Sequence, residues 1–246
     1  MISVIIPNFN DFRIERTLES ILAQTTANYE VIIQEGCEDY SETRSLYDFY
    51  GADSRISVFA EKDDGIFDAF NRGIERAKGD YVFLIGSDDY LLDVNTFQLV
   101  EKSIKDFGSD VISIGCKMFK GGSLVRKWEV VNTGTKGILM GDMPPHLGLF
   151  VSKGVYDKIG LFEWQSMYDG CDSLWLLKLA VKVPEASFST LKKVFMAMEI
   201  GGHSTGSLKN ILRANVNLYK YASELGVRAP LLLVLNKLRI KILQIL

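Results

Sequence analysis

Short β-branched runs alternate with segments of helical periodicity over the first 107 residues. The runs, each typical of a buried strand, are Ser3–Ile6, Tyr29–Ile33, Arg55–Phe59 and Tyr81–Ile85. Between them the pattern predicts a helix capped by Asp11, then helices over Ser41–Tyr50, Ile66–Lys78 and Asp93–Phe107. Strands that alternate with helices at this spacing predict crossover units and a mostly parallel central sheet with flanking helices, an α/β fold.

The pattern changes after residue 110. Extended segments are predicted over Asp110–Phe119, Ser123–Val131, His146–Ser152 and Ser187–Ile200, with Gly121-Gly122 joining the first two. Helices are predicted over Cys171–Val181, Ser207–Leu225 and Pro230–Leu246. No internal repeat or disordered linker interrupts the chain, so we expect one continuous domain in two parts.

Polar residues follow three of the predicted N-terminal strands. They are Asn8 and Asn10 after the first, Glu35 and Asp39 after the second, and Asp88 and Asp89 after the fourth. In parallel sheets, ligands bind at the carboxyl ends of the strands. The first half is therefore interpreted as a nucleotide-binding type of α/β unit.

Composition excludes several classes of protein. The 246 residues are 47% hydrophobic and 24% charged, enough apolar material for a core and unlike a disordered chain. The net charge of −3 gives no reason to expect a nucleic-acid partner. Three scattered cysteines indicate a reducing compartment. Neither a secretory signal nor an apolar run long enough to span a bilayer is present, so we expect a cytoplasmic or membrane-surface protein.

Asp88-Asp89 is the first candidate for chemistry. Two carboxylates at the end of an apolar strand, after Gly86, suit a hard divalent cation that also binds phosphates. The alternative is an ordinary turn before the helix that follows Asp93, because Ser-Asp-Asp is common loop composition.

Three linked motifs resemble the family 2 glycosyltransferases, and among them the bacterial surface-polysaccharide branch. The motifs are Ser3-Val-Ile-Ile-Pro-Asn-Phe-Asn10, Glu61-Lys-Asp-Asp-Gly-Ile-Phe-Asp-Ala-Phe-Asn-Arg-Gly73 and Gly79-Asp-Tyr-Val-Phe-Leu-Ile-Gly-Ser-Asp-Asp89. Their order and spacing match over about residues 1–205. The resemblance implies a GT-A fold whose residues 1–110 bind the nucleotide sugar and whose residues 111–206 bind the acceptor. Residues 207–246, beyond the match, are predicted from their own pattern to form basic amphipathic helices.

The resemblance also implies a donor site for a nucleotide diphosphate sugar, most simply a UDP-sugar. The residues expected to contact the donor are Pro7, Asn8, Asn10, Glu35, Asp39, Asp63, Asp68 and Asp89. Gln34 and Cys37 depart from the family pattern, and we expect Glu35 to read the base. Asp88 matches the metal-binding acid for Mn²⁺ or Mg²⁺, although the first acid of the family motif is missing here.

On the acceptor side, Asp172 and the Leu-Trp-Leu-Leu-Lys that follows Ser173 resemble the family segment that carries the catalytic base. A carboxylate there can take the proton of an acceptor hydroxyl. Its alternative is a helix N-cap, and Asp169 is the second candidate for the base. His146 and Gly148 resemble a segment that borders the acceptor pocket. His203, in a Gly-Gly-His-Ser loop, is a candidate metal ligand or a surface residue.

These parts imply an inverting transfer of a hexosyl or N-acetylhexosaminyl group to a glycan or lipid-linked acceptor. A nucleotidyltransferase is the first alternative, but Pro7-Asn-Phe-Asn10 is not the Gly-rich, basic phosphate loop that it requires. A non-catalytic scaffold of the same fold is the second, although Asp88 and Asp172 are both present.

The charge is concentrated at the end of the chain. From Lys209 to Leu246 there are seven cations and one anion, whereas the preceding residues carry 21 cations and 30 anions. Leu235, Leu238, Ile242 and Ile245 fall on one helical face, opposite a face with Lys237, Arg239 and Lys241. Such a helix suits the surface of the cell membrane's inner face. The alternative is packing on the protein's own core or on a second subunit.

Overall fold

The computed structural model describes residues 1–130, 134–165, 169–199 and 208–244. Its strands are β1 (Ile2–Asn8), β2 (Tyr29–Glu35), β3 (Ile56–Ala60), β4 (Tyr81–Leu84), β5 (Tyr90–Leu91), β6 (Val111–Lys120), β7 (Ser123–Trp128), β8 (Leu149–Ser152) and β9 (Phe188–Glu199). Its helices are α1 (Ile14–Leu22), α2 (Arg44–Tyr50), α3 (Ile66–Arg76), α4 (Thr96–Phe107), α5 (Gly134–Leu139), α6 (Lys153–Ile159), α7 (Cys171–Lys182), α8 (Leu208–Glu224) and α9 (Pro230–Leu243).

The strands form one sheet in the order β3-β2-β1-β4-β8-β6-β9-β5, with β7 paired to β6. The four strands at the β3 end are parallel, as predicted. Beyond them the sheet is mixed, because β8 runs antiparallel to both β4 and β6 and β5 runs antiparallel to β9. Since β8 lies between β4 and β6, residues on either side of position 110 share a single sheet.

Helices cover both faces of the sheet, which explains why β1, β2, β4 and β8 are buried over most of their length. In β1, Val4 and Ile6 lie in one hydrophobic cluster and Ile5 in the other, as strand alternation requires. The Val4 cluster receives the buried faces of α1, α2 and α4. The Ile5 cluster receives those of α3 and of α5 to α9. The carboxyl ends of the parallel strands are left open at the edge between these layers.

Two local predictions are wrong. His146–Ser152 is not one strand, because His146–Gly148 forms a 3-10 turn in which Gly148 N donates to the carbonyl oxygen of Pro145 at 3.0 Å. The fixed φ of proline favours such a turn. Asp11 does not cap α1, which begins at Ile14; its carboxylate instead accepts from Arg13 N at 3.0 Å in the preceding turn.

The sequence pattern also missed three short elements, α5, α6 and β5. Each has two to seven residues, too few for a periodic signal.

Helix α9 packs on the protein through a face that carries two lysines. At 3.6 residues per turn, Lys237 and Lys241 share a side with Leu233 and Val234, both of which are buried in the core. The opposite side is 52–71% exposed and consists of Leu231, Leu232, Leu235, Ile242 and Leu243. Arg239 lies among these. The expected grouping of Lys237, Arg239 and Lys241 on one outward polar face is therefore wrong.

In the part of the chain that the structure describes, no helix combines the length and the apolar character that a membrane span requires.

Candidate active site

The loops that follow β1, β2 and β4 meet at one edge of the sheet. Gly36 N donates to the carbonyl oxygen of Asn8 at 2.9 Å, which joins the first two loops. Arg13, in the turn after β1, contacts the loop after β4 through Asp88. The sequence-predicted residues at these three strand ends are therefore neighbours in space.

Glu35 is the centre of a buried hydrogen-bond network. Its Oε2 accepts from Asn8 Nδ2 at 2.9 Å and from Tyr47 Oη at 2.7 Å, and its Oε1 accepts from the backbone N–H groups of Asn10 and Cys37, each at 2.9 Å. Burial, strengthened by the hydrogen bond to Glu35, raises the pKa of Tyr47. Glu35 has no exposed surface. The structure thus places Glu35 and Asn8 where they fix the loops, with the Glu35 carboxylate already occupied by donors from the chain.

The remaining candidates from the first two loops differ in accessibility. Pro7 is buried within β1. Asn10 adopts a left-handed backbone conformation (φ 49°), and its Oδ1 accepts from Glu42 N at 3.0 Å. Asp39 is exposed at the end of the β2 loop. Of this group, Asp39 has the carboxylate that a ligand can reach without rearrangement.

Asp63 and Asp68 lie around the start of α3. Asp63 accepts from Gly65 N at 2.9 Å and packs so closely on Gly36 that a Cβ there would lie 2.1 Å from Asp63 Oδ2. Burial raises the pKa of Asp63. Asp68 forms an ion pair of 2.8 Å with Arg72 one turn later. The half-buried Asp63 therefore continues the edge formed by the β1 and β2 loops.

The two carboxylates after β4 have different environments. Asp88 is partly exposed and lies 2.9 Å from Arg13 Nη1. Asp89 is 3% exposed, and burial, with the neighbouring Asp88 carboxylate, raises its pKa to about 8. Thr17 Oγ1, on α1, lies 2.9 Å and 2.6 Å from the carbonyl oxygens of Ser87 and Asp89. The loop thus presents Asp88 outward and keeps Asp89 inside.

These residues fit a divalent cation only if a substrate supplies most of the ligands. Within the described ranges, no group of three His, Cys, Asp or Glu side chains is placed to hold a metal. The partly exposed Asp88 offers carboxylate oxygens, the ligand type that Mg²⁺ and Mn²⁺ prefer, and such ions commonly take phosphate oxygens as well. His203, the other metal candidate, lies outside the described residues.

A cavity of about 280 Å³ lies beside α7, on the side of the sheet covered by α3 and α9. Its wall combines aromatic and charged side chains, among them Phe67, Phe70, Arg126, His146, Asp172, Lys237 and Lys241. No residue of the loops after β1, β2 and β4 is among the described residues that line it. The cavity therefore excludes these three loops but reaches the start of α3, where Ile66 and Phe67, three and four residues after Asp63, line it.

Asp172 lies in the first turn of α7 and faces this cavity. Gly170, not Asp172, is the N-cap; its φ of 85° favours glycine, and the helix has no side-chain cap. Among the described residues, no hydrogen-bond donor contacts the Asp172 carboxylate, so the N-cap alternative does not apply. The fallback candidate Asp169 is held by Arg213, with 3.1 Å between Oδ2 and Nη1.

His146 sits in an aromatic enclosure on the same wall. Its ring meets those of Phe162, Trp175 and Phe70 edge-on, at centroid distances of 5.1, 6.3 and 6.4 Å. Burial lowers the pKa of His146, which favours a neutral ring. Gly148 is not among the described residues that line the cavity; it is buried where a Cβ would lie 2.6 Å from the carbonyl oxygen of Ile114.

Three cations on the cavity wall were missed by sequence reasoning. Lys237 Nζ donates to Ser173 Oγ at 3.0 Å, and Lys241 lies one turn later on the same helix. Arg126, on β7, is 8% exposed and stacks over Trp128 with its guanidinium carbon 4.3 Å from the ring centroid. Nothing in the local sequence distinguishes these residues from solvated cations, because their burial results from the packing of α9.

Comparison with known proteins identifies the family. The family model described as "Glycosyl transferase family 2" matches residues 3–176. This match confirms the resemblance that the sequence motifs indicated.

Two bacterial glycosyltransferases are similar to this chain over segments of about 100 residues. A "PGL/p-HBAD biosynthesis glycosyltransferase" from Mycobacterium bovis (strain BCG / Pasteur 1173P2) is 30% identical over 103 residues, which are 41% of this chain and 40% of that protein. The "putative teichuronic acid biosynthesis glycosyltransferase TuaG" of Bacillus subtilis (strain 168) is 37% identical over 92 residues, 36% of each protein. The matched region thus spans less than half of these relatives.

Solved structures share the fold at low identity. S. aureus TarS 1-349 superposes with a TM-score of 0.67 at 18% identity, covering 91% of this chain and 64% of that one. The mannosyltransferase PcManGT of Pyrobaculum calidifontis, in complex with GDP-Man and Mn²⁺, gives a TM-score of 0.66 at 15% identity, covering 97% and 69%. The expected α/β fold of the GT-A type is therefore confirmed.

Proposed function

The chain belongs to glycosyl transferase family 2, and from that premise we propose that it transfers a sugar from a nucleotide diphosphate sugar to an acceptor hydroxyl with inversion at the anomeric carbon. The observation that carries this proposal is the Asp172 carboxylate, which faces a cavity and makes no hydrogen bond or ion pair among the described residues. A carboxylate in that state is available to accept a proton. Residues 1–110 form the donor half and residues 111–206 the acceptor half in this proposal.

The donor lies at the edge formed by the loops after β1, β2 and β4. Asp39 and Asp63 have reachable carboxylates there, while Glu35, Asn8 and Asn10 hold the loops that shape the edge. A UDP-sugar with a hexosyl or N-acetylhexosaminyl group is the expected donor. In support, TarS has been solved with UDP and with UDP-GlcNAc, and PcManGT with GDP-Man.

Asp88 is the residue that would hold Mn²⁺ or Mg²⁺. When bound, such an ion neutralises charge on the leaving nucleoside diphosphate. Arg13 Nη1 lies 2.9 Å from Asp88 Oδ2, so a metal ion would take the place of a guanidinium that already contacts this carboxylate. The structure of PcManGT with Mn²⁺ supports a divalent ion in this fold.

The transfer step needs one base and no covalent sugar intermediate. Asp172 accepts the proton of the acceptor hydroxyl as its oxygen attacks the anomeric carbon from the face opposite the departing diphosphate. The bond to the diphosphate oxygen breaks in the same displacement, which inverts the anomeric configuration. His146, neutral because burial lowers its pKa, positions the acceptor without taking the proton.

The acceptor is a glycan or lipid-linked glycan of surface polysaccharide synthesis. The similarity to TuaG, which is named for teichuronic acid biosynthesis, supports this acceptor class. The exposed apolar side of α9, with Leu232 and Leu235 at its centre, gives a surface that can lie on the inner face of the cell membrane. Lys237 and Lys241 face the protein and do not take part in that contact.

Flotation with liposomes tests the membrane contact. The double variant Leu232→Ser/Leu235→Ser should reduce co-flotation with vesicles of anionic phospholipid, because it removes apolar surface that is already exposed and so leaves the core intact. Lys237→Gln is the matched variant on the opposite side and should float as the wild type does. Equal flotation of all three proteins would contradict the membrane contact.

Calorimetry with nucleotides tests the donor site. UDP, GDP, CDP and UDP-GlcNAc are titrated with and without Mn²⁺ into the wild type, Asp88→Asn and Asp48→Asn, the last changing an exposed acid on α2. We expect one nucleotide to bind, and its affinity to be higher in the presence of Mn²⁺. This increase in affinity should be lost in Asp88→Asn and kept in Asp48→Asn. Binding of no nucleotide would favour the scaffold alternative, and an intact metal effect in Asp88→Asn would remove Asp88 from the site.

A further inference from the structure

Arg126, Lys237 and Lys241 converge on the cavity wall next to Asp172, from two elements that are far apart in sequence. Arg126 comes from β7 and the lysines from consecutive turns of α9. Their charges are close enough to interact: in addition to burial, the charge of Arg126 lowers the pKa of Lys241, and the charge of Lys241 lowers the pKa of Lys237. Three cations that repel one another would not be packed together for stability alone.

Within the described ranges, no ion pair neutralises this cluster. Among the described residues, no carboxylate oxygen lies within 4.0 Å of any of the three cations. Arg126 donates to Gln244, an uncharged acceptor, and its Nε is buried with no hydrogen-bond acceptor in the ranges that the structure describes. Lys237 donates to the hydroxyl of Ser173. Arg126 is buried and the two lysines are partly buried. Cations withdrawn from water without a paired carboxylate are costly, so the cavity favours an anionic ligand.

The nearby carboxylates leave a surplus of positive charge. Asp172 is the carboxylate whose charge reaches both lysines, and Asp169 is taken up by Arg213. Three cations and one free carboxylate leave two positive charges facing the cavity. A phosphate monoester or a diphosphate carries about that charge at neutral pH, whereas a sugar carboxylate carries half of it. The guanidinium of Arg126 also suits the paired oxygens of a phosphate.

We propose that Arg126, Lys237 and Lys241 form a subsite for a phosphate group carried by the acceptor. The subsite adds a ligand class to the proposed function. Only the assignment of the phosphate to the acceptor rests on that proposed function. The placement supports the acceptor rather than the donor, because the cavity is lined by Asp172 and His146 and by none of the described donor-side loops. The phosphate would hold the acceptor with its hydroxyl at Asp172.

Calorimetry with inorganic phosphate, in EDTA and without donor, measures this subsite by itself. We expect phosphate to bind the wild type, and Lys237→Gln/Lys241→Gln to weaken it by about tenfold or more, because a charge-assisted hydrogen bond is lost at each position. Arg239→Gln, which changes an exposed cation on the same helix, should bind as the wild type does. Lys237→Arg/Lys241→Arg should restore binding. Equal phosphate affinity in the Gln double variant and Arg239→Gln would overturn the subsite.

Two further titrations identify the source and class of the anion. Saturation with UDP and Mn²⁺ should leave phosphate binding unchanged; displacement by UDP would assign the cations to the donor diphosphate and overturn the acceptor proposal. Glucuronate should bind more weakly than phosphate. If glucuronate binds equally or more tightly, the subsite is for a carboxylate and the phosphate proposal is overturned. Because no donor turnover is measured, failure here is distinguishable from failure of nucleotide binding at Asp88.

Discussion

Lys237 Nζ lies 3.0 Å from Ser173 Oγ, so a residue of the last described helix touches the residue that follows Asp172. The contact joins α9 to the first turn of α7 across 64 positions of sequence. It makes the C-terminal helix part of the cavity wall. Helix α9 therefore has two different faces. The face with Lys237 lines the cavity of the proposed acceptor, and the opposite, apolar face is exposed.

Replacing Lys237 by Met should stabilise the protein at pH 7. Burial lowers the pKa of Lys237, and the repulsion from Lys241 adds to this, while Asp172 opposes it. Between that lowered pKa and the ordinary value, the unfolded chain binds more protons than the native one, so the free energy of unfolding of the wild type rises with pH. The advantage of Lys237→Met should therefore shrink as pH approaches 10. Melting temperatures from pH 6 to pH 10 measure it.

Arg239→Met is the control for the loss of a cation from α9, and it should leave the melting curve unchanged across this range. A melting temperature of Lys237→Met below that of the wild type at pH 7 would contradict the uncompensated burial of the Lys237 ammonium.

Gly36→Ala should impair the donor edge and the fold together. The new Cβ would lie 2.1 Å from Asp63 Oδ2, so the half-buried carboxylate has to move. Overpacking of this kind lowers the free energy of unfolding by about 1–3 kcal/mol, and nucleotide affinity should fall with it. Gly154→Ala is a suitable control, because its Cβ would meet nothing closer than Ser152 Oγ at 3.6 Å. Urea unfolding and calorimetry distinguish the two; unaltered nucleotide binding by Gly36→Ala would remove Asp63 from the site.

Arg13→Gln should tighten the binding of Mn²⁺ in the absence of nucleotide. Arg13 forms a 2.9 Å ion pair with Asp88 and thus competes with the metal for its oxygens. Because an exposed ion pair contributes about 0.2–1 kcal/mol, the expected gain is about 1.4-fold to fivefold. Electron paramagnetic resonance of free Mn²⁺ measures the affinity. Weaker binding of Mn²⁺ by Arg13→Gln would show that Arg13 organises Asp88 for the metal.

The first half of the molecule could be predicted because its signals are local. Four apolar runs predicted β1 to β4. The apolar positions Phe67, Phe70 and Ile74 predicted the buried face of α3. The polar residues at the strand ends could be grouped because parallel strands bring their carboxyl ends to one edge. Sequence could not say that Glu35 lies inside that edge, since its burial depends on Tyr47 and Asn8 closing around it.

The second half depends on contacts between distant segments. The amphipathic pattern of α9 is compatible with either side facing the protein, and the decision rests on the space beside α7 that Lys237 and Lys241 enter. The sequence did not indicate the burial of Arg126 either, because this burial requires β7 to pair with β6 and Gln244 to contact Arg126. Asp172 was predicted as the base through the family resemblance, and this role stays a prediction. Its position within α7, not before it, excludes the N-cap alternative.

The most direct test of the account is donor turnover by Asp172→Asn beside Asp169→Asn. Release of nucleoside diphosphate is followed with the donor that calorimetry identifies, using water and simple methyl glycosides as acceptors. Because a general base contributes about 10²–10⁴-fold, Asp172→Asn should slow release by at least about a hundredfold with unchanged donor affinity, whereas Asp169→Asn should retain most of the wild-type rate. Wild-type turnover by Asp172→Asn would contradict the assignment of Asp172 as the base.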